Sequence, residues 1–266
     1  LRDHRVSTGG TVIGIGSKHK TRLLAITVLA TSGVGCASPS SQFGGNRDHG
    51  FVLLLPGSEG RSAFNDRLGR SLVEAEVKSS VELRDWTGDT RGLILYNQLA
   101  LDRNREAAKE IARGVCEYQD RYPGRPVELV GHSAGAAIAL HVAEALPPDR
   151  QVDAIYLLGP SMSPGYDLTC ALKRTRRTIY SFSSKRDLVL CAGTSMFGTT
   201  DHHHTPAAGW SGFETPTSAT PETKRLYRKK LIQARWTPDF DELAADGSHM
   251  GWTSKGFAAK CLAPVR

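Results

Sequence analysis

Val127-Glu128-Leu129-Val130-Gly131-His132-Ser133-Ala134-Gly135-Ala136-Ala137-Ile138-Ala139-Leu140 is the stretch that decides the fold. The mainly apolar, β-branched run Val127 to Val130 predicts a short strand. The alanine- and leucine-rich run Ala134 to Leu146, stopped by Pro147-Pro148, predicts a helix. Only Gly131 to Ser133 lies between them, so the chain must pass from strand to helix almost at once. Ser133 stands at that turn. Glycines two residues to either side then let neighbouring backbone pass close by.

The same alternation continues on both sides. Phe51 to Leu55, stopped by Pro56-Gly57, reads as a strand buried on both faces, and Val81 to Leu83 as a weaker one. Leu101, Ala108, Ile111, Ala112, Val115 and Tyr118 recur near helical spacing, which predicts a helix ending at Tyr122 before Pro123-Gly124. Val152 to Leu158 and Thr178 to Phe182 are further strands, and a last helix is expected from Thr253 to Leu262. Apolar strands separated by helical segments imply an α/β protein in three layers, a mostly parallel sheet with helices on both faces. Residues 192–223 have no clear period and are rich in Gly, Thr, Pro and His. They are expected to form a lid-like loop, with Phe197, His202, Trp210 and Phe213 near a pocket.

A G-x-S-x-G pentapeptide set between a strand and a helix resembles the nucleophile elbow of the α/β-hydrolase family. By element order the resemblance runs from about Phe51 to the C-terminus. It implies the three-layer α/β-hydrolase fold, a serine esterase or lipase-like activity, no cofactor, and a chain order of serine, acid, histidine. Ser133 is then the nucleophile. Asp187, which follows the strand Thr178 to Phe182 across Ser183-Ser184-Lys185-Arg186, sits where the family places its acid, with Asp167 and Asp201 as alternates. His249, in a loop before the terminal helix, sits where the family keeps its base, with His49 and the run His202 to His204 as competitors. The oxyanion donors are expected to be the backbone N–H of Ala134 and one from Ser58 or Glu59. Pro56 stands where lipases and esterases carry the histidine of a His-Gly motif, so that second donor is left open between the two.

Composition bounds the rest. The 266 residues carry a formal charge of +7. Residues 1–36 hold Arg2, Arg5, Lys18, Lys20 and Arg22 against Asp3, which leaves only +3 for the remainder and argues against a nucleic-acid partner. Lys18, Lys20 and Arg22 precede the short apolar run Leu23 to Ala30 and the small residues before Cys36, so residues 1–37 read as a secretory presequence and 38–49 as a flexible tether. A single domain is expected over 50–266. Two processing junctions fit. Gly35-Cys36 resembles a bacterial lipoprotein site, which would lipidate Cys36 and attach the protein to a membrane, although Gly33 stands where that signal usually has an aliphatic residue. Cleavage after Ala37 would release it. The remaining cysteines, Cys116, Cys170, Cys191 and Cys261, allow disulfides in an exported protein. Cys170 and Cys191 are the first choice as a bridge.

Three consecutive histidines point in different directions on an extended chain, so His202 to His204 is read as polar lid and no metal site is expected. The basic clusters at 173–177 and 224–230 read as solvated faces. The expected partner is a small-molecule or lipid ester. The second reading, from another class, is a catalytically silent scaffold that binds a partner at the cell envelope.

Overall fold

A computed structural model describes residues 40–263. The presequence, Cys36 and the first residues of the expected tether lie outside the described residues. The chain opens with β1 (Ser40–Gly44), β2 (Asn46–Leu55), α1 (Ala63–Glu74) and β3 (Ser79–Arg84). Then come α2 (Ile94–Leu99), α3 (Leu101–Arg121), β4 (Val127–His132), α4 (Ala134–Ala145) and β5 (Val152–Leu158). It closes with α5 (Thr169–Lys173), β6 (Thr175–Ser183), α6 (Thr194–Phe197), α7 (Ala208–Ser211), α8 (Pro221–Lys230), β7 (Leu231–Arg235) and α9 (Lys255–Phe257).

The seven strands form one sheet in the order β1-β3-β2-β4-β5-β6-β7, antiparallel at β1 and parallel throughout the rest. Strand side chains alternate between two faces, and both faces are apolar. Phe51, Leu53 and Leu55 of β2 pack on the face carrying α3 and α4, with Leu129, Ile155 and Leu157. Val52 and Leu54 face the other way, against Leu68 and Leu72 of α1 and against Trp252, Phe257 and Leu262 near the C-terminus. Helix α3 buries Ala108, Ile111, Ala112, Val115 and Tyr118, a stripe at helical spacing, and shows its charged residues to solvent. Helix α4 is buried on every side, which its alanine content allows.

The sheet reverses direction beside β2. Strand β3 lies on one side of it and β4 on the other, so the carboxyl ends of β2 and β4 flank a switch point, where open parallel sheets leave a crevice.

Three expectations need correction. Residues 40–44 and 46–49 are strand, because β1 pairs with β3 from Ser40↔Arg84 to Gly44↔Val81 and takes up an edge that would otherwise lack partners. The last helix starts at Lys255 rather than Thr253 and runs to Leu262, its second part Ala258–Leu262 more widely wound, after a separate short turn at Gly251–Thr253. The third concerns Cys170 and Cys191, which are free, as are Cys116 and Cys261. Cys170 precedes the amino end of β6 and Cys191 follows its carboxyl end. The nine residues of β6 put roughly 30 Å between the strand ends to which the two segments attach, against the few ångströms between Cα atoms that a disulfide requires.

Candidate active site

The turn between β4 and α4 is as tight as the sequence requires. Ser133 has φ 55° and ψ −121°, a conformation that costs a residue with a Cβ on the order of 1–3 kcal/mol. It is held there by its N–H, which donates to the Leu158 carbonyl at 2.9 Å, and by its carbonyl, which accepts from Ala136 and Ser161. Gly131 is obligatory because a Cβ there would stand 2.4 Å from the Gly135 carbonyl oxygen and 2.5 Å from the Ala136 Cα.

Around this hydroxyl the structure brings together residues from three distant segments. His249 Nε2 lies 2.9 Å from Ser133 Oγ, and His249 Nδ1 lies 2.8 Å from Asp187 Oδ2. Asp187 follows β6, is fully buried, and takes a second hydrogen bond at Oδ1 from the Leu190 N–H at 3.0 Å. A buried carboxylate so fixed holds the imidazole with its proton on Nδ1 and its lone pair at Nε2, facing the hydroxyl. His249 is carried by a loop after β7. That loop turns on Asp246, whose Oδ1 accepts from the Ser248 N–H and hydroxyl, and is anchored by Trp252, which packs against Phe182, Phe240 and Phe257. The arrangement can transfer the Ser133 proton to His249 and make the oxygen a nucleophile.

Ser58 and Glu59, from the loop after β2, line the same cavity as Ser133 and His249. Ala134 opens α4, where a helix has no internal acceptor for its first N–H groups. Among the described residues no backbone or side-chain acceptor takes the N–H of Ser58, Glu59 or Ala134.

The cavity has a volume of about 520 Å³ and its walls are mainly apolar, with Phe64, Ile94, Leu95, Val189, Leu190 and Phe197 around Ser133. Gln98 lies among them and donates to Ser161 Oγ at 2.6 Å. Its mouth is the most apolar part of the surface. Phe64, Ile94, Leu95, Val189 and Phe197 are exposed wall residues, and Leu93, Tyr96, Leu188 and Met196 beside them are exposed too. Ile232, on the edge strand β7, is the one other large exposed apolar side chain among the described residues.

Of the four residues expected to shape the pocket, Phe197 alone lines it. Phe213 is buried in the core beneath the sheet face, its N–H and carbonyl both bonded to the Gln233 side chain. Trp210 donates to the Lys185 carbonyl and carries Lys185 Nζ over its ring. His202 donates from Nε2 to the Leu99 carbonyl, and His203 sits 3.2 Å from Asp201. Residues 192–223 are therefore not one lid. Hydrogen bonds from Thr200, Ala207, Ala208 and Gly209 to the 160–162 and Leu190 carbonyls tie most of the segment to the body.

The alternate acids have other work. Asp167 accepts from Thr169 and Tyr227, and Asp201 from Ser163 and Thr199. Burial alone would raise the Asp201 carboxyl, but those hydrogen bonds outweigh it and hold it below the usual range. His49 lies on β2 toward the opposite end of the sheet. Among the described residues no cluster of His, Cys, Asp and Glu could hold a metal ion. Sequence reading missed the cavity walls Phe64, Ile94, Leu95, Val189 and Met250. The signal available was the uninterrupted apolar run Leu93 to Tyr96, too short for a core helix and flanked by polar turns.

With the sheet order and elbow described, comparison with solved structures places the architecture. Lipase B from Aspergillus fumigatus superposes with a TM-score of 0.53 at 11% identity, over 85% of this chain and 54% of that one. A dienelactone hydrolase from Anabaena variabilis gives 0.48 at 16%, over 84% and 88%. The esterase domain of a Rhodothermus marinus protein gives 0.45 at 14%, over 85% and 96%. The chain has the three-layer α/β-hydrolase fold. No protein-family model and no curated protein sequence matches it.

Proposed function

We propose that this chain is a serine hydrolase that cleaves carboxylic esters through an acyl-enzyme. The observation that carries the reading is the continuous chain Ser133 Oγ, His249 Nε2, His249 Nδ1, Asp187 Oδ2, with steps of 2.9 and 2.8 Å, at the floor of an open apolar cavity. Ser133 attacks the ester carbonyl while His249 takes its proton. The oxyanion is stabilised by the N–H of Ala134 and of Ser58 or Glu59. The alcohol leaves with the proton from His249, and a water activated by the same imidazole releases the acid. No step needs a cofactor.

The cavity walls support an ester with an apolar acyl group, and the collar around the mouth supports substrate presented from a lipid surface. The presequence adds that the enzyme is exported, either held to a membrane through lipidated Cys36 or released. Among the described residues no helix is long and apolar enough to cross a membrane. The 2.9 Å between His249 Nε2 and Ser133 Oγ supports catalysis over a silent binding scaffold.

The test is labelling of purified protein by a fluorophosphonate probe, with Ser133→Ala and His249→Ala alongside. Labelling that vanishes in both variants, together with ester turnover by the wild type, supports the reading. A folded wild type that does not label refutes it.

A further inference from the structure

His132, the residue before the nucleophile, has no part in the proton transfers above, yet it is almost fully buried directly beneath them. Its Nε2–H donates to the backbone carbonyl of His249 at 3.0 Å, across 117 residues of sequence. The two imidazoles lie 4.9 Å apart, tilted by 41°. We propose that His132 is a positioning residue that keeps the general base in register with the nucleophile, an inference that rests on the hydrolase reading of this site.

The geometry makes the link short. The backbone of His132 leads directly into Ser133, so whatever fixes the elbow also fixes the root of the His132 side chain. That side chain then grips the peptide of the base itself. The other contacts of the base loop act elsewhere: Asp246 closes a turn through Ser248, Arg186 donates to the Asp246 carbonyl, and Trp236 donates to the Ala245 carbonyl. None of these holds the His249 peptide. His132 thus ties the elbow directly to the peptide of the base, while Asp187 fixes the imidazole itself.

A purely space-filling role does not account for a histidine here. The ring leaves Nδ1 buried without a hydrogen-bond partner among the described residues, a cost that an apolar side chain of similar volume would avoid. What the imidazole supplies and an apolar group does not is the single N–H at Nε2. Burial first, and the charge of the neighbouring His249 second, push the His132 pKa down to about 4, while Glu59, the hydrogen bond to the His249 carbonyl and Asp187 oppose this without offsetting it. The ring therefore stays neutral at neutral pH, keeps its donor, and adds no positive charge beside the imidazolium that forms on His249 during turnover.

The experiment compares wild type, His132→Phe, His132→Gln and Ser133→Ala in p-nitrophenyl butyrate hydrolysis and in the rate of fluorophosphonate labelling. Phenylalanine keeps the ring and removes the donor. Glutamine places an amide N–H near the position of Nε2. We expect His132→Phe to lower kcat by on the order of 10²-fold through misplacement of the base, with KM nearly unchanged, and His132→Gln to regain most of that loss. Labelling rates should follow kcat. Equal losses in both variants, a loss confined to KM, or full activity in His132→Phe would overturn the proposal. Should His132→Phe not fold, His132→Asn takes its place against Gln, because its shorter amide cannot reach the His249 carbonyl. A wild type that neither hydrolyses nor labels removes the hydrolase reading, and this assignment with it. That outcome differs from an active wild type that is indifferent at position 132.

Discussion

Gly135 lies directly against the carboxyl end of β2: a Cβ on it would stand 2.2 Å from the Leu55 carbonyl oxygen and 2.3 Å from that of Pro56. The elbow and the loop bearing Ser58 and Glu59 are therefore in backbone contact, and the position of one determines the position of the other.

Gly135→Ala must push the start of α4 away from β2. Forcing a methyl group into close-packed backbone costs about 1–3 kcal/mol, and the shift separates the Ala134 N–H from the Ser58 loop. The expected result is a lowered thermal midpoint and a loss of kcat larger than the loss of stability explains. Gly114→Ala is the control. It sits on the exposed side of α3 with nothing within 4 Å of a new Cβ, and should stabilise by about 1 kcal/mol. Circular-dichroism melts of the two variants read the stabilities, and ester turnover reads kcat.

Asp187→Asn keeps an acceptor for the Leu190 N–H but loses the charge that orients His249. With the wrong imidazole tautomer favoured, kcat should fall by about 10⁴-fold, while the fold persists. A variant with more than a tenth of wild-type kcat would show that another group orients the base.

Leu93 and Met196 are exposed on the collar and lie outside the cavity wall. The double variant Leu93→Asp and Met196→Asp should hydrolyse a short soluble ester within about twofold of wild type, as expected for surface changes. Its binding to phosphatidylcholine vesicles should weaken at least tenfold, since each large apolar side chain contributes about 1.5–3 kcal/mol on burial. Vesicle flotation measures this, and unchanged binding would remove the collar from substrate presentation.

His132 also makes a prediction about pH and stability. Its pKa is lowered on folding, so in the window between the ordinary imidazole value and about 4 the unfolded chain binds a proton that the folded chain does not. The stability it contributes is complete above the unfolded value and is lost as pH falls through that window. The carboxyls of Asp85, Asp167, Asp201 and Asp246 are also lowered, but their contribution is lost further down, below the ordinary carboxylate range. Thermal midpoints should therefore decline from near pH 6.5 in the wild type, and the decline should be shallower in His132→Gln. Parallel curves for the two proteins would count against a neutral, buried His132.

Much of the fold was legible because period and punctuation agree. Phe51 to Leu55, Val127 to Val130 and Val152 to Leu158 are buried on both faces, and the Pro-Gly and Pro-Pro stops end strand β2 and helix α4 within a residue of where they are read. Strands β1 and β7 were not legible. Ser40, Ser41 and Gln42 of β1 and Gln233 and Arg235 of β7 are polar, and these strands exist through hydrogen bonds to β3 and β6 rather than through an apolar pattern of their own. Ser133 and Asp187 could be put forward because each follows a legible strand, and His249 because it lies in a loop before the terminal helix. The cavity wall could not, because Phe64 at the start of α1, Leu95 at the start of α2 and Val189 in the turn after β6 come from three separate segments that share no local pattern. Phe213 misled for a related reason: an aromatic in a loop looks like a lid until Gln233 on a neighbouring strand is seen to pin it.

The reach of the base has a bearing on how the protein matures. Ser133 and His249 are separated by 116 residues, and His249 enters only after β7 has closed the far edge of the sheet on β6. Contacts so distant along the chain form slowly and together with the rest of the sheet. An intermediate that holds β2 to β5 but has not yet docked its final third would carry the serine in place and no base beside it. On the proposed hydrolase reading, an activated Ser133 therefore reports that the last edge of the sheet is in place.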